Sequence, residues 1–137
     1  MISKRDVIRM KVPYPTISDK LALSTHMYIC REAKKPKYEF VKCQTLKPYM
    51  LYNNVMTHYW DEKPDIARNP FKHDTRIDCD KTFRTYHVVY GDALKTTNRP
   101  DVSEEVMNSV DRELEEDGYE VIDVQENDLK SINSRIR

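Results

Sequence analysis

Two strand-patterned segments that start thirteen residues apart do most to limit what this chain can become. THMYICR (25–31) and YEFVKCQTL (38–46) are rich in aromatic and β-branched residues, and the lysine-bearing turn AKKPK (33–37) separates them at Pro36. Such spacing joins antiparallel neighbours, because a crossover to a parallel strand needs roughly a dozen or more intervening residues. Upstream, RDVIRMKV (5–12) alternates, with Ile8, Met10 and Val12 on one side and Arg9 and Lys11 on the other. That is the pattern of a half-buried strand, ended here by Pro13 and Pro15. Residues 16–24, with Ser18, Asp19 and Lys20, read as a connecting loop. Residues 49–60 suit either a strand or a short helix, and 61–74 read as a loop with two prolines. TRIDCDKTFRTYHVVY (75–90) then supplies one or two more strands, with Ile77, Cys79, Phe83 and Val88 as core candidates. High β-content with short connections predicts an α+β, mainly β fold, a small barrel or sandwich.

The C-terminal part changes character. Val102, Val106, Val110 and Leu114 fall on one helical stripe, with Met107 beside it. Asp101 with Glu104, or Ser103 itself, can cap the start, and Gly118 supplies the stop. The spacing predicts an amphipathic helix over 102–117. YEVIDV (119–124) reads as a short edge strand and 127–136 as a weaker second helix. The chain therefore divides into a main domain over 1–117 and an acidic C-terminal extension over 118–137.

Composition removes several function classes. Gly91 and Gly118 are the only two glycines, too few for a phosphate-cradling glycine-rich loop. No apolar run approaches the length that crosses a bilayer. The first twelve residues carry charges throughout and no apolar signal core. Cys30, Cys43 and Cys79 are odd in number and widely spaced, which suits reduced thiols in a cytoplasmic protein and no metal site. Cys79 lies between Asp78 and Asp80, whose charges disfavour a thiolate. No cofactor is expected. The formal net charge is zero, yet residues 1–99 hold 19 Lys+Arg against 11 Asp+Glu, and residues 100–137 hold 4 against 12. A basic body suits an anionic partner, and the acidic end suits either solvated helix faces or a cover over that body.

The order of these segments resembles the PemK/MazF/Kid family of toxin-like growth inhibitors. RDVIRMKVPYPTISDK looks like the family's opening strand and loop, HMYICRE like its second strand, FVKCQTL like its third and HDTRIDCDKTFRT like its late strand. SEEVMNSVDREL looks like its closing helix, so the resemblance spans about 1–116. It implies an SH3-like small β-barrel with a C-terminal amphipathic helix, usually a homodimer. It also implies a metal-independent endoribonuclease acting on single-stranded RNA and restrained by an antitoxin protein. No membrane association follows from it.

Metal-independent RNA cleavage needs a base for the ribose 2′-hydroxyl, an acid for the leaving oxygen, and donors for the phosphorane charge. By the resemblance, Thr45 stands at the family's active-site hydroxyl and Asp80 at the carboxylate that acts as a base. Thr25 stands where the family has its catalytic arginine, which leaves His26 as the acid or base and Lys20 as a cation from the nearby loop. Arg31, Lys72, His73 and Arg76 complete the expected RNA-binding set with Thr25 and Lys20. Asp78 and Asp80, two apart in a strand, would share a side and repel phosphate. The competing assignment pairs Asp78 with Arg76 or Lys72, and Asp80 with Lys81 or Arg84. Tyr59, Trp60 and Phe71 beside these cations suit base stacking or, equally, a core. The alternative function is a related fold that binds nucleic acid or a protein without cutting.

Overall fold

The computed structural model describes residues 1–15, 24–52 and 56–137. Among the described residues seven strands form one sheet: β1 (Val7–Met10), β2 (His26–Lys34), β3 (Lys37–Thr45), β4 (Tyr59–Glu62), β5 (Thr75–Asp78), β6 (Lys81–Tyr86) and β7 (Glu120–Asp123). Two helices accompany it, α1 (Glu104–Asp117) and α2 (Glu126–Ile132). The fold is α+β and mainly β. The hairpin read at 25–46 is present, with β2 antiparallel to β3 and Lys34 opposite Lys37.

The long strand β3 organises the rest. One of its edges pairs with β2, and the other is shared by two strands in series. β5 pairs with the far end of β3, Thr45 opposite Thr75, and β6 with the near end, Phe40 opposite Phe83. Cys79 and Asp80 form the break between them. β4 then adds outside β5, and β7 adds outside β6 in parallel. β1 lies antiparallel to the first half of β2, Met10 opposite His26.

The ladder does not close. Among the described residues the outer edge of β1 makes only single bridges, Asp6 to Asp101 and Ile8 to Lys95. β1 and β4 are four residues each, so the terminal strands are too short to wrap and meet. The closed-barrel expectation is corrected in this respect: the sheet is open, and the segments at Lys95 and Asp101 bridge the outer edge of β1.

Alternation along β3 splits the core in two. Tyr38 and Phe40 join Ile8, Met10, Tyr28 and Phe83 on one face, together with Leu129 and Ile136 from the C-terminal segment. Val41 and Cys43 join Val7, Ile29 and Ile77 on the other, where Val106, Met107, Val110 and Leu114 of α1 pack. The stripe read on residues 102–117 is thus the buried face of α1. Ser103 caps it, its hydroxyl accepting from the Val106 N–H, and Gly118 ends it at φ 79°, a conformation glycine adopts without a Cβ penalty. Residues 118–137 supply β7 to the sheet and Leu129 and Ile136 to the core.

Arg31 occupies a β-bulge: Cys30 faces Phe40 and Glu32 faces Glu39, leaving Arg31 as the extra residue. The bulge aims its guanidinium at α1. There it donates to Asp111 and Glu39 at 2.9 Å each, and to the Tyr119 hydroxyl. Arg31 therefore clamps the closing helix to the sheet and is not free for RNA, contrary to expectation. Arg31→Met should cost on the order of 3 kcal/mol by stranding the buried Glu39 carboxylate, read by urea denaturation, with RNA affinity unchanged.

Candidate functional site

Register decides which expected residues meet. The end of β1, the start of β2, the end of β3 and the start of β5 all lie at one end of the sheet. A groove of about 180 Å³ opens there. Thr25, His26, Thr45 and Thr75 contribute its polar groups, and Arg9 enters from β1, opposite Met27. Met27, Cys43 and Phe71 form the apolar floor. The volume is small for a drug-sized ligand but suits a phosphodiester group.

Three of the expected residues therefore converge: Thr45, His26 and Thr25. Thr45 and Thr25 are exposed, and His26 is partly buried. Burial lowers the His26 imidazole below its ordinary value, the Lys42 charge adds to this, and the Ser24 carbonyl, 3.2 Å from Nδ1, opposes it. A lowered imidazole is neutral at pH 7 and can accept a proton. The Thr75 hydroxyl donates to the His73 carbonyl at 2.8 Å, which leaves its oxygen as an acceptor. The Cys43 thiol is no nucleophile, since burial pushes it far up. Cys79 is likewise inert: burial first, then the Asp78 charge, push it up to about 12.

Arg9 is the residue that sequence reasoning missed. It is exposed, and no carboxylate among the described residues pairs with it. Alternation placed it opposite Ile8 and Met10, but only the β1–β2 register brings it beside Thr25 and Thr45. The neighbouring strand thus carries a guanidinium to the place where Thr25 lacks one.

The other expectations divide. Lys72 and His73 are exposed and lie between Phe71 and Thr75, both of which line the groove. Lys20 lies outside the described residues. Arg76 is 4% exposed; its Nε and Nη2 each donate to Asp61 at 2.8 Å, and it lies 3.7 Å over the Tyr59 ring. It is an internal ion pair and not an RNA contact. Phe71 is buried, and Trp60 is half-buried with its N–H on Glu62, so the expected stacking residues are largely packed.

Asp80 is corrected most. It does not line the groove; it accepts from the Thr57 and His58 N–H groups at 2.7 and 2.8 Å and holds that turn against the β5–β6 break. Asp78 is buried and pairs with Lys81 at 2.9 Å. The two carboxylates are framework residues because the strand breaks between them and diverts both side chains into local bonds. His58 links Asp80 to the end of α1, its Nε2 lying 2.8 Å from Asp117. The Asp117 bond raises the His58 imidazole, partial burial opposes this, and Asp80 adds to the rise. Stability from this link is full below the ordinary imidazole value and is lost as pH rises through the raised one. The melting temperature should fall as pH rises above the ordinary imidazole value, and His58→Gln should flatten that slope.

Acidic residues of the C-terminal part meet the body elsewhere. Asp111 pairs with Lys4 and Arg31, and Asp123 with Arg84. No ion pair among the described residues joins them to Arg9, Lys11, Lys47 or Lys72. No group of three or more His, Cys, Asp or Glu among the described residues is placed to hold a metal ion, and none of the described helices is long and apolar enough to cross a membrane. Compared with known proteins, the chain matches no family model, no curated protein and no solved structure.

Proposed function

We propose that the groove binds a phosphodiester of single-stranded RNA and cleaves it without a metal ion, in the manner of the PemK/MazF/Kid growth inhibitors. His26 takes the proton of the ribose 2′-hydroxyl as the 2′-oxygen attacks phosphorus. Arg9 and the Thr45 hydroxyl meet the charge that develops on the phosphorane. The P–O5′ bond breaks, the 5′-oxygen takes a proton from water, and the hydroxide so formed recovers the proton held by His26. A 2′,3′-cyclic phosphate and a 5′-hydroxyl are the products, so atoms and charge balance.

The observation that carries this reading is the convergence of Arg9, His26 and Thr45 in one groove, where no carboxylate among the described residues pairs with Arg9. Among the described residues Arg31, Arg68, Arg76 and Arg84 are each ion-paired, whereas Arg9, Lys11, Lys47 and Lys72 are not. Unpaired cations beside an open groove await an anion. The strand order suits descent from an SH3-like barrel with its ladder left open. A cytoplasmic location, a homodimer and an antitoxin-type protein partner belong to the same proposal.

The absence of Asp80 from the groove favours a second reading, binding without cutting, because His26 is then the only imidazole or carboxyl group among the described residues that line it. A cleavage assay in chelator, with Thr45→Ala beside the parent, separates the two. Cleavage that falls about tenfold or more in the variant supports catalysis. Intact RNA with salt-sensitive binding supports the second reading. With three or four phosphates neutralised, log K should fall with log salt at a slope of about −2 to −3. Lys72→Ala should lower that slope by about 0.7.

A further inference from the structure

The opposite end of the molecule holds a larger cavity, of about 550 Å³. Its floor is Tyr38, Val88 and Tyr90, all buried. The Tyr90 hydroxyl is already bonded to Thr85 at 2.8 Å, so Tyr90 presents its ring to the cavity. Pro36 and Val89, the latter 61% exposed, continue the apolar wall to the rim. Lys35 and His87 stand at the mouth, and no carboxylate among the described residues pairs with either.

The rim is held in place. The His87 N–H donates to the Pro36 carbonyl at 3.0 Å, tying the β2–β3 turn to the segment after β6. Val89 and Arg137 exchange both backbone hydrogen bonds, which fixes the opposite wall. His87 sits at φ 60°, a left-handed conformation uncommon for a non-glycine residue. A cavity of this size, apolar inside and edged by a few fixed polar groups, has the form of a small-molecule site.

We infer that this cavity binds an apolar monocarboxylate, an aryl or alkyl group carried on one carboxylate. The chain packs against Tyr38 and Tyr90, and the carboxylate meets Lys35 and His87 at the mouth. The charge complement selects the acid over neutral molecules of the same shape, and the apolar floor selects against polyanions such as nucleic acid. This site is independent of the RNA groove and does not rest on the reading given to it.

The test uses 4-phenylbutyrate and its neutral counterpart 4-phenylbutanol as probes of the full chain, followed by two-dimensional NMR. The acid should shift the signals of Tyr38, Val88 and Val89 saturably, with an affinity about fivefold better than the alcohol, the scale of one exposed ion pair. Lys35→Ala should remove that preference and leave alcohol binding unchanged. Val89→Glu, an exposed position where folding is little affected, should abolish the acid's shifts. No saturable shift with either probe would overturn the site. Equal affinity for both would overturn the carboxylate assignment, as would a preference unchanged by Lys35→Ala.

Discussion

Arg9→Ala should lower RNA cleavage by about 100- to 1,000-fold, the usual cost of removing one preorganised donor to a developing oxyanion. The same change should leave the melting temperature nearly unaltered. Arg9 is exposed and has no carboxylate partner among the described residues, so its removal strands no buried charge. Arg9→Lys keeps the charge but loses the planar fork that grips two phosphate oxygens, and should retain an intermediate rate. His26 leaves its own mark on the same assay. Because burial lowers its imidazole, kcat/KM should rise with pH through a value below 6.5 and then level, and His26→Gln should remove that limb. A rate unaffected by Arg9→Ala would leave the groove without its cation and the proposal without its main support.

The second large effect concerns stability. Leu129→Ala should cost about 3 kcal/mol, measured as a lower urea midpoint with an unchanged slope. Leu129 is fully buried against the core face that holds Tyr28, Phe40 and Phe83. Ile136 lies in the same cluster at 2% exposed, so removal of residues 126–137 opens the core from outside and should abolish cooperative unfolding. This decides between two accounts of the acidic end. A mere cover over the basic body would, once deleted, raise RNA affinity in a folded protein. A structural element would, once deleted, unfold it. The ion pairs favour the second, since Asp111 and Asp123 meet Lys4, Arg31 and Arg84, while Arg9, Lys11, Lys47 and Lys72 have no ion pair among the described residues.

Local pattern carried much of the fold. The alternation of Ile8 and Met10, the β-branched run of 25–31 and 38–46, and the stripe Val106–Val110–Leu114 each report a period and a buried face, and each is where its period puts it. What local pattern does not encode is register between segments. β5 and β6 share one edge of β3, and that arrangement follows from the break at Cys79–Asp80 rather than from any strand's composition. The same limit applies to the groove. Thr45, Thr25 and His26 come from segments whose pairing follows from the hairpin, so their convergence was legible. Arg9 comes from a strand joined to β2 by a long connection, and its partner Met27 is a matter of register alone. Asp80, Arg76 and Arg31 were misassigned for a common reason. A charged residue in or beside a strand looks available until its partners are known, and theirs are backbone amides, Asp61, and Glu39 with Asp111.

The most direct measurement incubates the purified full chain with a single-stranded RNA in excess chelator, beside the Arg9→Ala variant and a substrate 2′-deoxy at the scissile position. The account predicts a 2′,3′-cyclic phosphate product from the parent protein, a rate lower by at least a hundredfold in the variant, and no cut at the 2′-deoxy position. RNA left intact by the parent protein, or cut equally by parent and variant, would contradict it.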